Sequence, residues 1–215
     1  MASVVTSEIE SAPLPMKRGE PAWNLAFLFP RQGAWTEADY LELNTNQLVE
    51  LSDGCLEVPT LPFPWHQWMV RFLHRMLDDF VRAHAEGEVF FAPLPIRLWP
   101  GQIRDPDVVY LRPERLRDMG KIPDGADLVI EVVSEGEENR ERDLTIKPEE
   151  YAKAAISEYW IVDPEQEQLT VLTLDGDRYR QHGCFGADDE ATSVLLPGFA
   201  VPVKLVFEVP EQPAE

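Results

Sequence analysis

The chain has 215 residues, enough for one domain with a substantial core, and its hydrophobic fraction of 44% is typical of a globular protein. No apolar run approaches the roughly 18 residues of a membrane span. No secretory signal is visible, so we expect a cytoplasmic protein that does not contact membranes. The net charge of -20 disfavours nucleic acid as a partner, because lysine and arginine hold phosphates.

The charges are unevenly distributed along the chain. Nine of the 19 basic residues fall between Arg71 and Lys121, and a local basic face can persist on a negative protein. The alternative is that these residues form ordinary solvated surface. The two cysteines indicate no disulfide framework, and the four histidines form no zinc-binding motif.

The first elements follow from local signals. We expect a flexible arm over residues 1–22, one domain over 23–208 and a flexible tail over 209–215. Thr36 is expected to cap a short helix, and Asp53-Gly54 is expected to turn a β-hairpin. Apolar residues at three- and four-residue steps predict an amphipathic helix that begins at Pro64 or Trp65 and ends at Gly87.

The remainder of the chain is rich in strand patterns. VFFAPLPIRLW and DPDVVYL predict two strands joined by a turn at PGQ, and DLVIEVVS predicts a buried central strand. We expect SEGEENRERD to form an acidic loop and PEEYAKAAIS to form a helix. The last predicted elements are a strand at EYWIVDP, a hairpin turned at Asp175-Gly176 and a strand within LLPGFAVPVKLVFEV.

Glu131 interrupts the apolar run of the predicted central strand. A carboxylate in a buried strand is costly unless it is paired or binds a metal, although the strand could also end there and leave it in solvent. Asp107 begins the preceding predicted strand, and Lys147 precedes the next helix. Two carboxylates on neighbouring strands can share a divalent cation, and a nearby lysine can hold phosphate oxygens or the attacking water.

These segments, in this order, resemble the Uma-two family of restriction endonucleases within the PD-(D/E)XK superfamily. The resemblance extends from about Trp35 to Phe207 and rests on several motifs, which are TEADYLEL, VELSDGCLEV, RDPDVVYL, DLVIEVVS, EYWIVDP and LPGF. A D-x-x-x-K-x-x-x-Y element at Asp143, Lys147 and Tyr151 belongs to the same pattern. The resemblance implies an α/β fold with a mixed central β-sheet flanked by helices, DNA as substrate, dependence on Mg²⁺ or Mn²⁺, and a homodimer.

Carried over to this chain, the resemblance implies that Asp107 and Glu131 bind the metal. It implies that these two residues and Lys147 are catalytic. The superfamily usually has its lysine two positions after the glutamate, where this chain has Val133. Glu50 is a candidate accessory ligand. His66 is a candidate phosphate contact, for which a structural role is favoured. Because Pro148 disfavours helical geometry in the preceding residue, we expect Lys147 at the entrance of its helix rather than inside it.

Three functions therefore compete. The first is an endodeoxyribonuclease that hydrolyses phosphodiester bonds with two carboxylates, a lysine and a metal. The second is a catalytically inert nuclease-fold module for binding or assembly, which the net charge, Val133 and Pro148 favour. The third is a metal-dependent hydrolase of a small phosphorylated molecule. This third function suits the acidic surface, but no glycine-rich phosphate loop supports it.

Overall fold

A computed structural model of the chain describes residues 29–43 and 48–208. The predicted arm, residues 1–22, and tail, residues 209–215, lie outside these ranges. The helices are α1 Glu37–Glu42, α2 Pro64–His84, α3 Glu137–Glu141, α4 Lys147–Lys153 and α5 Val203–Phe207. The strands are β1 Glu50–Ser52, β2 Cys55–Glu57, β3 Glu88–Phe91, β4 Ile96–Trp99, β5 Gln102–Arg104, β6 Val108–Leu111, β7 Leu128–Val132, β8 Glu158–Asp163, β9 Gln168–Asp175, β10 Arg178–Phe185, β11 Glu190–Thr192 and β12 Ala200–Pro202.

The central structure is a six-stranded mixed sheet with the order β10-β9-β8-β7-β6-β3. β7 and β8 are parallel and every other neighbouring pair is antiparallel. A four-stranded sheet, β2-β1-β5-β4, and a two-stranded sheet, β11-β12, complete the strands of the described residues. The predicted α/β architecture, a mixed central sheet flanked by helices, is confirmed.

Both faces of the central sheet are covered. Alternate residues of β7 point to opposite faces, so Ile130 packs in the core beneath α2 while Val129 packs in the core that contains Tyr151 of α4. Since β7 and β8 are parallel, the chain must cross over the sheet between them, and α3 and α4 lie in that crossover. Glu131 shares a face with Val129, so the crossover passes over the side of the sheet that bears Glu131.

Several local predictions are confirmed. Thr36 caps α1 through a reciprocal capping box with Asp39, and Ser52 pairs with Cys55 across the predicted Asp-Gly turn. The long amphipathic helix is α2, which ends at His84 rather than at Gly87. In residues 29–43 and 48–208, no helix is long and apolar enough to span a membrane.

Four local predictions are wrong. The segment predicted as one strand over residues 89–99 is two strands in different sheets, because Pro93 and Pro95 cannot donate to a sheet ladder. The turn at PGQ leads from β4 into a separate strand, β5, and not directly into the strand predicted at residues 105–111, which is present as β6. The predicted acidic loop, residues 134–143, contains helix α3, and the predicted final strand ends at Pro202, after which α5 begins.

Candidate active site

Glu131 lies in the middle of the central sheet and is buried. It faces the crossover, where Lys147 Nζ lies 2.9 Å from Glu131 Oε1. The hydroxyl of Tyr151 donates a hydrogen bond to the same oxygen. Of the alternatives left open by the sequence, a solvated strand end does not apply, because two residues of α4 pair with this buried carboxylate.

Lys147 is buried between two carboxylates. Its Nζ lies 3.2 Å from Asp143 Oδ1 as well as close to Glu131, and Asp143 is itself buried and accepts a hydrogen bond from the Ser134 backbone N–H. Burial lowers the pKa of Lys147, but the charges of Glu131 and Asp143 outweigh burial and the pKa lies above its usual range. Lys147 is therefore a permanent cation at neutral pH.

Lys147 is the first residue of α4, as expected, but Pro148 does not turn its backbone away from helical geometry. Lys147 has helical backbone angles and continues a helical segment that begins at Glu137, with a wide π-helical turn over Arg142–Ile146. A proline ring would clash with the carbonyl four residues earlier in a regular helix, and the wide turn just before Pro148 accommodates it. The continuous path places Asp143, Lys147 and Tyr151 beside the same face of the sheet.

Asp107 precedes β6 and is fixed from two directions. Its Oδ2 accepts a hydrogen bond of 2.8 Å from the Val132 backbone N–H and lies 3.3 Å from His66 Nε2. His66 is buried in the first turns of α2, and its Nδ1 has no hydrogen-bond partner among the described residues. Burial lowers the pKa of His66, whereas Asp107 raises it, and the net shift is upward.

Glu50 has a different set of partners from those expected of a metal ligand. It is buried, and its Oε2 accepts a hydrogen bond of 2.8 Å from the Arg104 guanidinium. Its Oε1 accepts from the Asp105 backbone N–H. Arg104 is also buried and binds Glu57 and Glu150. Glu50 therefore fixes the segment that leads from β5 to Asp107. The negative charge of Glu50 is balanced by the guanidinium of Arg104.

Asp105, two residues before Asp107, is a further acid in this region. Its Oδ1 accepts a hydrogen bond from the Leu94 backbone N–H. Burial raises the pKa of Asp105 to about 6, and Glu50 and Asp107 add to this effect. In Glu131, burial raises the pKa to about 7, against the opposing effect of Lys147.

These residues line one small cleft of about 70 Å³, referred to below as the acidic cleft. Pro59, Thr60 and Pro62, between β2 and α2, form part of its wall. Its acidic residues are Glu50, Asp105, Asp107, Glu131 and Asp143, and its basic residues are His66, Arg142 and Lys147. The sequence-predicted residues Asp107, Glu131, Lys147, Glu50 and His66 therefore all reach the same cleft.

Sequence reasoning missed part of this cleft. Arg142 was given no role in it, and Asp143 was assigned only to the D-x-x-x-K-x-x-x-Y element. The available signal was the spacing Asp143, Lys147 and Tyr151, because positions four residues apart share one side of a helix.

The basic residues counted in the sequence do not form a free basic face. Five of the nine between Arg71 and Lys121 pair with carboxylates, and these are Arg82, Arg97, Arg104, Arg115 and Lys121. Arg104 is fully buried. Most of this positive charge is thus neutralised within the protein.

A mixed sheet with a carboxylate in its central strand, and a lysine brought to it by a helical crossover, places this chain in the class of restriction-endonuclease-like proteins. The family model described as "Putative restriction endonuclease", Uma2, matches residues 35–204. The chain belongs to that family.

A solved structure shows the same fold. The crystal structure of a putative nuclease from Anabaena variabilis superimposes with a TM-score of 0.65 at 16% sequence identity, and the match covers 80% of this chain and 97% of that one. At this identity the likeness establishes the fold alone. No curated protein matches this chain.

Proposed function

We propose that this protein is a divalent-metal-dependent endonuclease that hydrolyses DNA phosphodiester bonds in the acidic cleft. The observation that carries the proposal is the convergence of Asp107, Glu131 and Lys147, from three separate elements, on one cleft. Phosphodiester hydrolysis with a metal needs carboxylates to hold the metal and a positive side chain beside the phosphate, and this cleft contains both.

The donor set fits a cation that takes few protein ligands. Asp107 uses Oδ2 for its contacts with Val132 and His66, and Glu131 uses Oε1 for its contacts with Lys147 and Tyr151. The other oxygen of each carboxylate is the proposed metal donor. The described residues contain no group of three or more His, Cys, Asp or Glu side chains suited to hold a metal. Mg²⁺ and Mn²⁺ suit two such ligands, because Mg²⁺ keeps several waters.

The bound cation would lower the pKa of a coordinated water and stabilise charge on the phosphate. Lys147 remains protonated, so its role is to donate hydrogen bonds to a phosphate oxygen or to orient the attacking water, and it does not act as the base. The phenol of Tyr151 and the hydrogen bond from Val132 hold the two carboxylates in place, as outer contacts of metal ligands commonly do.

Titration calorimetry with Mg²⁺ and Mn²⁺ tests the proposal directly. We expect the wild type to bind one cation and the variant carrying both Asp107→Ala and Glu131→Ala to bind none. Asp177→Ala removes an exposed carboxylate from the β9–β10 turn and serves as the matched control, with binding like that of the wild type. Cleavage of DNA by Asp107→Ala at the wild-type rate would contradict the proposed site.

A catalytically inert nuclease-fold module is the second candidate. It is favoured by the net charge of -20, by the pairing of most basic side chains between Arg71 and Lys121, and by the two acids that neutralise Lys147. Metal-dependent nicking by the wild type that is absent in Glu131→Ala would exclude it.

Metal-dependent hydrolysis of p-nitrophenyl phosphate but not of DNA would instead favour a small phosphorylated substrate.

A homodimer remains a prediction. The family resemblance implies it, but the apolar segment EYWIVDP is buried as β8 inside the sheet and offers no interface. Support comes instead from the exposed apolar side chains of Val58, Leu61 and Phe63, since exposed apolar patches mark interaction sites. Light scattering at micromolar concentration distinguishes a dimer from a monomer, and a serine at Leu61 should weaken the dimer.

A further inference from the structure

A second pocket lies beside the acidic cleft and is lined by aromatic side chains. It has a volume of about 440 Å³, within the usual range for ligand sites, and its walls include Trp68, His74 and Phe91. Phe91 is 55% exposed at the end of the edge strand β3, and the ring of His74 meets it edge to face at 4.8 Å. We refer to this cavity as the aromatic pocket.

The aromatic pocket and the acidic cleft share a boundary. Gln67 lines both, and Phe91 of the pocket is followed directly by Ala92 of the cleft. The Ala92 backbone N–H donates to the carbonyl of Asp107, which ties the pocket wall to the segment that carries the proposed metal ligand. One ligand can therefore occupy the acidic cleft and extend into the aromatic pocket.

Arg71 supplies positive charge at the same pocket. Its Cζ lies 4.3 Å from the centroid of the Trp68 ring, and the side chain is exposed. Arg97, Arg104 and Arg115 bind carboxylates, whereas no carboxylate pairs with Arg71 among the residues the structure describes. Arg71 thus combines a stacking surface with a charge suited to a phosphate.

We infer that the aromatic pocket binds an unpaired nucleobase of a nucleic-acid strand whose backbone passes the acidic cleft. Only the choice of a nucleic-acid strand as ligand rests on the proposed function. A protein with a charge of -20, in which five of the nine basic residues between Arg71 and Lys121 pair with carboxylates, cannot draw its affinity from many phosphate contacts. Stacking of bases on aromatic rings and on arginine provides affinity that depends little on charge, and it requires bases that are not paired in a duplex.

The test measures binding of fluorescein-labelled oligonucleotides by anisotropy, in the absence of divalent metal. The probes are a single-stranded oligo-dT, an abasic strand of the same length, the equivalent oligo-rU and a blunt duplex. The wild-type side chains of the acidic cleft are kept throughout and EDTA is present, so the result does not depend on metal binding or on cleavage. Failure of the proposed function and failure of this inference are thereby distinguished.

We expect this protein to bind oligo-dT about tenfold more tightly than the abasic strand or the duplex. Phe91→Ser and Trp68→Leu should each weaken oligo-dT binding to the level of the abasic strand and leave abasic binding unchanged. Phe91→Leu keeps an apolar side chain and should show the same loss, which separates lost stacking from misfolding. Equal binding of oligo-dT and oligo-rU assigns recognition to the pyrimidine ring that they share, and a preference for one shows that the sugar or the thymine methyl group also contributes.

Arg71→Gln tests the phosphate contact, and Arg178→Gln, on the opposite edge strand β10, is its matched control. The slope of log affinity against log salt should fall by about 0.7 in Arg71→Gln and should not change in the control. The inference is overturned if abasic and base-containing strands bind equally, or if no oligonucleotide binds at low salt. It is equally overturned if Phe91→Ser abolishes self-association without altering oligonucleotide binding, because the pocket would then be a protein interface.

Discussion

Lys147 and Glu131 form an ion pair whose side chains are only 6% and 4% exposed, with Nζ 2.9 Å from Oε1. Because the central strand contributes one partner and the helical crossover the other, the pair joins the two elements on which the proposed active site depends. Attraction in a buried pair roughly offsets the cost of removing both charges from water. Removing one partner, however, leaves the other as an uncompensated buried charge.

The first prediction concerns the stability of this pair. Lys147→Met should lower the free energy of unfolding at pH 7 by about 3–5 kcal/mol, because Glu131 and Asp143 are left without their shared cation. Glu131→Gln alone should also destabilise the protein. The variant with both substitutions should be more stable than the sum of the two single losses predicts, and urea unfolding measures all four members of this cycle.

Additive single effects would contradict this prediction. Lys153→Met is the matched control, because Lys153 lies at the end of the same helix and contacts the Trp99 ring rather than a carboxylate. It should change the free energy of unfolding by about 1 kcal/mol or less.

The second prediction separates the role of Lys147 in cleavage from metal binding. If Lys147 holds a phosphate oxygen, Lys147→Met should reduce DNA cleavage at least about 100-fold, whereas the affinity for Mn²⁺ should not weaken. Lys147→Arg retains a permanent charge and should recover part of the activity. Calorimetry and plasmid nicking measure the two properties on the same preparations, and loss of Mn²⁺ binding in Lys147→Met would contradict the assigned role.

The third prediction uses the raised pKa of Asp105. The pKa of Asp105 is about 6 in the folded protein and near 3.8 in the unfolded chain. At pH values between these two, the folded protein binds a proton at Asp105 that the unfolded chain releases. The free energy of unfolding contributed by Asp105 therefore falls as pH rises through this window, by about 1 kcal/mol between pH 5 and pH 7. Asp105→Asn should remove that part of the pH dependence, so its stability relative to the wild type should be higher at pH 7 than at pH 5.

Asn retains an oxygen that can accept the hydrogen bond from the Leu94 N–H, so the substitution changes mainly the charge. Asp118→Asn, at an exposed site where the pKa of the carboxyl is lowered by Lys121, is the control. Parallel stability profiles for the wild type and Asp105→Asn across this window would refute the prediction.

The parts of the fold that followed from sequence are those determined by local interactions. The capping box at Thr36 and the Asp-Gly turn depend on a few neighbouring residues, and the apolar run of β7 identifies a central strand. The order of Asp107, Glu131 and Lys147 also sufficed to predict that they belong to one site. The family resemblance supplied Glu50, although its contact with Arg104 joins residues 54 positions apart and no spacing predicts it.

The errors arose where distant contacts determine local structure. Residues 134–143 are acidic and lack apolar periodicity, yet α3 forms there and its Arg140 is bound to Asp163 at the end of β8. The end of the chain was predicted as a strand because it is rich in valine, but Val203 and Val206 are spaced to place one side of α5 in the core. Propensity is a weak guide where tertiary packing decides.

The fourth prediction concerns the contact between Arg140 and Asp163. The guanidinium donates through both terminal nitrogens to the two oxygens of Asp163, at 3.0 and 2.6 Å. α3 has five residues and no side-chain N-cap, so it is too short to be stable alone and depends on this contact. Since α3 leads into the turn that carries Asp143, loss of the contact should loosen the crossover next to the acidic cleft.

Arg140→Gln and Asp163→Asn should each lower the free energy of unfolding by about 1.5 kcal/mol and increase amide hydrogen exchange in residues 137–146. Arg140→Lys should not restore the wild-type value, because lysine cannot form the bidentate contact.

Burial acts to raise the pKa of Asp163, but Arg140 outweighs it and the pKa lies below its usual range. The contribution of the pair is therefore present above the unfolded pKa and is lost as pH falls through the folded pKa. A wild-type exchange pattern over residues 137–146 in both variants would show that the crossover is held by its packing on the sheet and not by this ion pair.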